Sequence, residues 1–383
     1  MDSRPVMTPI PVLQTCFSRS WGGLEIQALE VTSQLGKRGY PVTLASCTGS
    51  RLASEAGAAG LRVIEFDVSG YFHPRALWSL SRYIGSASPK IIHCQHSKDL
   101  SIVVPAADIS GSRPHILLSK RVGSYVSKRD LFHRYTYSRV ALVLAISEVI
   151  HRNVIETTPM PPERVVTLHD AIDADEYSPA KGNRSRVRGE FGYAAENIVI
   201  GFVGRFSPGK GHEELLQAAA EILPARPDVR FLVAGEASAG EESYEREIRH
   251  MCTSLGLDGA VRFAGFRRDV PDVMSSFDIL AFPSHAESFG VVLIEAMAME
   301  LPVVSTNCDG VVDIVVEGET GLYVHPRAPK ELAAALLQLI DDPTIRRRFG
   351  VAVRRRVLEL FDRRQQIDRL EKIYAELLAE TPT

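Results

Sequence analysis

No stretch of this 383-residue chain approaches the ~18 consecutive apolar residues that a membrane-spanning helix requires. The opening segment MDSRPVMTP is too polar for a signal peptide, and the apolar run after it is too short. Cysteine is sparse: Cys16, Cys47, Cys94, Cys252 and Cys308 are odd in number, scattered and without CxxC spacing. That argues against a disulfide framework or a zinc site and favours a reducing compartment. There is no HExxH, and Asp173-Ala174-Asp175 matches Asp-x-Asp only in what reads as an interdomain crossover. GxxxxGK[ST] is missing as well, because Gly211 rather than Ser or Thr follows Lys210. A net charge of −3 and the lack of a matching motif speak against nucleic acid as a partner. The expectation is a cytoplasmic protein that uses no metal.

What is present is ordinary for a globular protein, with 45% apolar and 24% charged residues. The length exceeds what one core usually serves, so two domains are expected. Strand-like runs alternate with helical periodicity throughout, which predicts α/β architecture with parallel sheets. Strands are expected at 10–16, 42–45, 61–66, 90–93, 116–118, 141–146 and 165–168. A crossover follows at 173–196, and further strands are expected at 198–203, 230–234, 261–263, 279–282 and 303–305. Final helices are read from 330 to 339 and from 344 onward. The domain boundaries read as 1–178, 179–360 and a last helical piece, 361–383.

Two loops carry chemistry. The run Ile198 to Val203 leads into Gly204-Arg205-Phe206-Ser207-Pro208-Gly209-Lys210-Gly211, with a helix beginning near His212. Two cations on a loop leaving a strand lie where open parallel sheets bind ligands, and they could neutralise a diphosphate. The second loop, Glu287-Ser288-Phe289-Gly290-Val291, opens the apolar helical run that contains Glu295. Free N–H groups and a positive dipole end at such a helix start suit a phosphate. Glu295 lies roughly 9 Å along the axis from Phe289 at ~1.5 Å per residue. That is about the offset from a diphosphate to its ribose. A carboxylate in so apolar a run is costly to bury without a hydrogen-bonding partner. The bland readings are a helix-dipole partner for Glu287, a solvated helix residue for Glu295, and solvated loop charges for Arg205 and Lys210.

G-R-x4-K-G followed about eighty residues later by E-S-F-G-x4-E resembles the retaining glycosyltransferases of family 4, the group 1 enzymes of GT-B fold. Ser20-Trp21-Gly22-Gly23-Leu24-Glu25 is similar to the family's N-terminal Gly-Gly loop, and Val233-Ala234-Gly235-Glu236 to a strand end in its second domain. Gly310 to Val315 and Gly318 to Leu322 resemble the glycine motif that follows the glutamate helix. The resemblance implies two doubly wound Rossmann-like domains facing across a cleft. The first domain would bind acceptor and the second the donor, with the last helix crossing back to the first.

It further implies a nucleotide-diphosphate sugar as donor, UDP being the commonest. Gly23, Arg205, Lys210, Ser288, Phe289 and Gly290 would hold its phosphates, Glu295 its ribose and Glu287 its sugar, with Gly22, Gly204 and Val291 also among the donor-binding residues. Arg205, Lys210 and Glu287 would serve the reacting centre, and no cofactor or metal is expected. The acceptor would be a glycan or lipid-linked intermediate in polysaccharide, lipopolysaccharide or glycolipid synthesis. Two other readings share the architecture: a nucleotide-sugar epimerase, and a catalytically silent subunit that binds a nucleotide or a partner enzyme.

The first domain departs from the family pattern. Residues 1–180 carry 19 Lys and Arg against 16 Asp and Glu, so the acidic excess lies in the remainder. Arg113, Lys120, Arg121, Lys128, Arg129, Arg134 and Arg139 face one acid, Asp130, with Tyr125, Phe132, Tyr135 and Tyr137 interleaved. This segment reads either as a solvated face or as a surface for anionic membrane lipid or a phosphorylated acceptor. The first option under the second reading would put the protein at the inner face of the cytoplasmic membrane. His93 and His96 stand where relatives show His-x-His, and either ring is expected to approach the sugar or the acceptor. Leu117 to Arg121 lacks the donor-contacting histidine of many relatives, so Lys120 or Arg121 is expected to meet an acceptor phosphate instead.

Overall fold

A computed structural model describes residues 10–68, 73–238 and 240–379. The polar segment read at positions 1–9 lies outside them. The chain divides into two compact units, one of residues up to Asp170 together with those from Arg364 onward, the other Ala171–Arg363.

Among its described residues, the first unit holds seven strands: β1 (Val12–Cys16), β2 (Val42–Cys47), β3 (Arg62–Phe66), β4 (Ile91–Cys94), β5 (His115–Lys120), β6 (Val140–Ala145) and β7 (Val165–Thr167). They form one parallel sheet in the order β3-β2-β1-β4-β5-β6-β7. The second unit holds β8 (Ile198–Val203), β9 (Val229–Ala234), β10 (Val261–Gly265), β11 (Ile279–Phe282), β12 (Val303–Thr306) and β13 (Gly321–Val324). These are parallel too, in the order β10-β9-β8-β11-β12-β13. Central strands such as β1, β4 and β11 are buried along their whole length, as helices on both faces of a parallel sheet require. In each sheet the winding direction reverses once, between β1 and β4 and between β8 and β11. Loops leaving the carboxyl ends of such a strand pair diverge and leave a crevice.

This is the two-domain α/β GT-B fold that the sequence led us to expect. Strand β13 was not read: it is four residues long, opens on glycine and lies at the sheet edge, all weak strand signals. The seam also moves. It falls at Asp170/Ala171 rather than at 178/179, because 171–178 is tied into the second unit. Ile172 N–H donates to Phe361 O at 3.0 Å, and Arg363 N–H donates to Ile172 O at 2.8 Å. The Arg354 guanidinium reaches the carbonyls of Ala174 and Tyr177. Within the crossover, the helix Arg184–Glu190 is pinned by Arg184 and Arg188, which both bind Asp278 beside β11.

Each unit has its own core. Ile200, Phe202, Phe206, Phe231, Ile279 and Leu336 belong to that of the second. In the first, Ile367, Leu370, Tyr374 and Leu377 of the helix Arg363–Ala379 pack with Val12, Leu35, Ile91 and Leu117. Arg38 adds ion pairs to Asp368 and Glu371. All five cysteines are free thiols. Among the described residues, no helix is long and apolar enough to cross a membrane.

Candidate functional site

The loops after β8 and β11 leave the winding reversal of the second sheet side by side. They are stitched together: Gly209 O accepts the His285 N–H at 2.8 Å and the Ser284 hydroxyl at 3.4 Å. Gly211 has φ +87°, and a Cβ there would lie 2.2 Å from Pro283 O. Only glycine fits that conformation and that approach. From the helix His212–Ile222, Glu214 reaches across to bond His285 Nε2 at 2.8 Å.

This stitching brings Lys210 and Glu287 into contact, Nζ to Oε2 at 2.7 Å. Both side chains remain partly open, at 30% and 19% exposure, so a ligand can reach the pair. The loop carrying Glu287 is shaped by Asp309, which accepts the Glu287 N–H at 3.2 Å, and by Gly310 N–H donating to Glu287 O at 2.9 Å. Phe289 is buried edge-on against Phe361, centroids 5.8 Å apart, so its ring anchors the loop and only its backbone can serve a ligand. Gly290, at φ +102°, turns the chain into the helix Val291–Ala298. The Leu293 N–H donates to Gly290 O at 2.9 Å, while the amides of Val291 and Val292 come before the first full helical turn.

Glu295 is half-buried on this helix, and Tyr177 O–H donates to its Oε1 at 2.9 Å. Burial pushes its carboxyl up to about 7, opposed by the Tyr177 bond and reinforced by Glu176. The costly carboxylate read from the apolar run is therefore real, and a tyrosine from the crossover is one partner that offsets it. Arg205 takes a different direction from Lys210. Its side chain is 56% exposed and turns toward Glu241 Oε2 at 3.5 Å and Ser238 Oγ at 3.3 Å. Glu241 also holds the Ser207 hydroxyl at 2.6 Å. Gly204 N–H is engaged by Ala234 O at 3.0 Å, which joins the loop to β9. The second unit thus gathers two cations, a helix start and two carboxylates at one sheet crevice. That set can hold a diphosphate with hydroxyl-bearing groups at either end.

In the first unit, Gly22 caps the helix Gly23–Lys37 in an extended conformation. His93 must be withdrawn from the expected acceptor contacts. It is 1% exposed, Nε2 meets Ser119 Oγ at 2.8 Å, and Nδ1 meets Tyr374 Oη at 2.8 Å. Burial, with the Arg121 charge, holds the ring neutral, its pKa near 3. Arg121 is largely committed as well: Nε bonds both oxygens of buried Asp170 and Nη1 bonds Gln95 Oε1 at 2.7 Å. Lys120 and His96 do line a pocket of about 190 Å³ at the ends of β4 and β5, together with Arg121.

The basic stretch is not one solvated face. Arg113 and Arg139 converge on Asp108, Arg129 caps the carbonyls of Ile155 and Glu156, and Lys120 and Arg121 are buried. Tyr125, Val126, Leu131 and Phe132 are exposed. Sequence reading missed Tyr177, Gln14, Tyr374, Glu241, the Glu214–His285 pair and Lys98. Gln14 and Tyr374 come from chain ends that only folding joins. Tyr177 lies far from Glu295 in sequence, so no local pattern marked it. Among the described residues, no group of three or more His, Cys, Asp or Glu side chains is placed to hold a metal ion.

Two family models match the chain, Glycosyl transferases group 1 over residues 183–356 and Glycosyltransferase Family 4 over residues 21–176. The D-inositol 3-phosphate glycosyltransferase of Corynebacterium aurimucosum is 33% identical over 239 residues, 60% of this chain and 55% of that protein. This chain spans about half the length of the curated relatives it matches. Among solved structures, a glycosyltransferase from Rickettsia africae has a TM-score of 0.88 at 21% identity, covering 98% of this chain and 100% of its own. HepE of Anabaena, solved with UDP, has a TM-score of 0.85 at 23% identity, covering 96% and 100%. At such identities the structural likeness speaks for the fold.

Proposed function

Because the chain belongs to the group 1 glycosyltransferases of family 4, we propose that it moves a sugar from a nucleotide-diphosphate sugar to an acceptor hydroxyl, with retention at the anomeric carbon. The observation that carries this reading is the Lys210–Glu287 pair. It is held at the β8/β11 crevice beside a glycine-led helix start, with Glu295 further along the same helix. UDP is the favoured nucleotide, since HepE was solved with it.

An arriving diphosphate takes Lys210 away from Glu287, and the freed carboxylate then accepts the hydroxyls of the donor sugar. Arg205 swings from Glu241 to the same phosphates, and the amides of Ser288, Phe289, Gly290 and Val291 complete the cradle. The ribose diol donates to Glu295. As the bond from the anomeric carbon to the phosphate oxygen breaks, negative charge grows on the diphosphate, and these groups stabilise it. The acceptor oxygen bonds the anomeric carbon on the same face, and its proton passes to the departing phosphate oxygen. The cations and amides serve where a divalent metal would otherwise sit.

The acceptor class is read from the first unit, where Lys120 and His96 line a pocket. A surface glycan or lipid-linked intermediate handled at the inner membrane face is one such acceptor. The Corynebacterium relative, a D-inositol 3-phosphate glycosyltransferase, points to small phosphorylated polyols as another.

The test is release of nucleotide from UDP-, GDP- and ADP-sugars, with and without candidate acceptors. One donor should be consumed in an acceptor-dependent manner. An epimerase would instead release an altered donor without acceptor. Lys210→Ala and Arg205→Ala should each lower turnover by about 10²–10³. Near-normal transfer by the double variant would refute the assignment.

A further inference from the structure

The pocket at the ends of β4 and β5 is lined by Lys98, Lys120 and Lys128, by His96 and by Arg121, and no carboxylate of the described residues lines it. Arg121 is neutralised by Asp170, but the three lysines have no acid among their bonded partners in the described residues. Lys120 is 4% exposed, and its ammonium donates to the Ser97 hydroxyl at 3.2 Å. Its charge and that of Lys128 oppose each other, and Lys98 opposes Lys128. His96 Nδ1 is buried without a hydrogen-bond partner. The nearest buried carboxyl, Asp99, is 3.8 Å from that nitrogen and already accepts from Thr15 Oγ1 and Phe17 N–H. Burying one ammonium among like charges is costly unless an anion joins them.

We propose that this pocket is a phosphate subsite, in which Lys98, Lys120 and Lys128 with the Ser97 hydroxyl receive the phosphomonoester of an acceptor molecule. Phosphate binding follows from the pocket alone; the acceptor's role rests on the transferase reading. Lysine suits a phosphate as a point charge, and the pocket is larger than a single ordered water requires. Burial and Lys128 push the Lys120 ammonium down to about 7 when no anion is present. A bound dianion reverses this, so binding above that pH takes up a proton at Lys120. His96, Lys98, Lys128 and Arg121 are the other titratable groups facing it.

A soluble sugar phosphate and a phosphate-bearing lipid headgroup offer the same chemistry. Calorimetric titration of the full chain with inorganic phosphate, glucose 6-phosphate and glucose tests the pocket. Vesicles of phosphatidylcholine with and without phosphatidic acid test the lipid source. Phosphate and the phosphate ester, or the phosphatidic acid vesicles, should bind where glucose and plain vesicles do not. Lys120→Met should weaken that binding at least about tenfold. Lys98→Ala plus Lys128→Ala, at positions nearer the surface, should do the same if the buried variant fails to fold. Glucose binding as well as its phosphate, or phosphate affinity unchanged in the Lys98/Lys128 double variant, overturns the subsite. Lysine-dependent phosphate binding by a protein that consumes no nucleotide sugar keeps the subsite and removes only the acceptor role.

Discussion

Glu295 is where a single residue carries most consequence. Its carboxyl is raised from 4.5 to about 7, so between those values the native protein holds a proton that the unfolded chain releases. The stability tied to that proton is complete below about pH 4.5 and is lost as pH rises toward 7. Glu295→Gln has no such loss, so its Tm advantage over the parent should widen from about pH 5 to about pH 7.5 in thermal melts. Each kcal/mol relieved corresponds to roughly 2–4 °C in a unit of this size. The same variant should bind nucleotide about tenfold more weakly, because one carboxylate acceptor for the ribose is gone. Parent affinity should climb as pH passes through about 7, since the ionised form accepts the diol. A variant that binds nucleotide like the parent would take the ribose away from Glu295. At the same scale, Tyr374→Phe strips a partner from buried His93 and Gln14. It should cost about 1–3 kcal/mol by denaturant titration.

At the scale of elements, the site depends on two loops being held in one register. At Gly211 the two loops approach closely, and the residue combines a left-handed backbone with a position that leaves no room for a Cβ beside Pro283. Gly211→Ala adds about 1–3 kcal/mol of backbone strain and forces the loops apart. Melting of the variant should occur at lower temperature, and donor binding should fall further than stability alone explains. Binding that stays intact in a folded Gly211→Ala protein would show that loop register is unimportant. The helix Val291–Ala298 illustrates the complementary case. Its start at Gly290 and its apolar run were visible in the chain, but the Phe289 ring packed on Phe361 was not.

For the molecule as a whole, two cores imply two folding units, and the terminal helix is structural to the first. Ile367, Leu370, Tyr374 and Leu377 are almost fully buried, each contributing about 1.5–3 kcal/mol. A chain ending at Arg363 should therefore lose the first unit's calorimetric transition and its protease resistance. The second unit should still melt cooperatively and bind nucleotide. An unchanged first transition would mean that this helix covers nothing essential.

Periodic apolar runs and turn residues carried the α/β class, twelve of the thirteen strands among the described residues, and the two glycine-rich loops with their charges. Those features are local: a strand buried on both faces must be apolar, and a tight loop must carry glycine, wherever the rest of the chain goes. Partnership is not local. That Lys210 pairs with Glu287 while Arg205 turns to Glu241, that Tyr177 caps Glu295, and that His93 is sealed by Tyr374 all depend on long-range packing. The same packing buries Lys120 beside Lys128 in a pocket that no carboxylate of the described residues lines. Charge in a sequence has a sign but no dielectric, and burial supplies it.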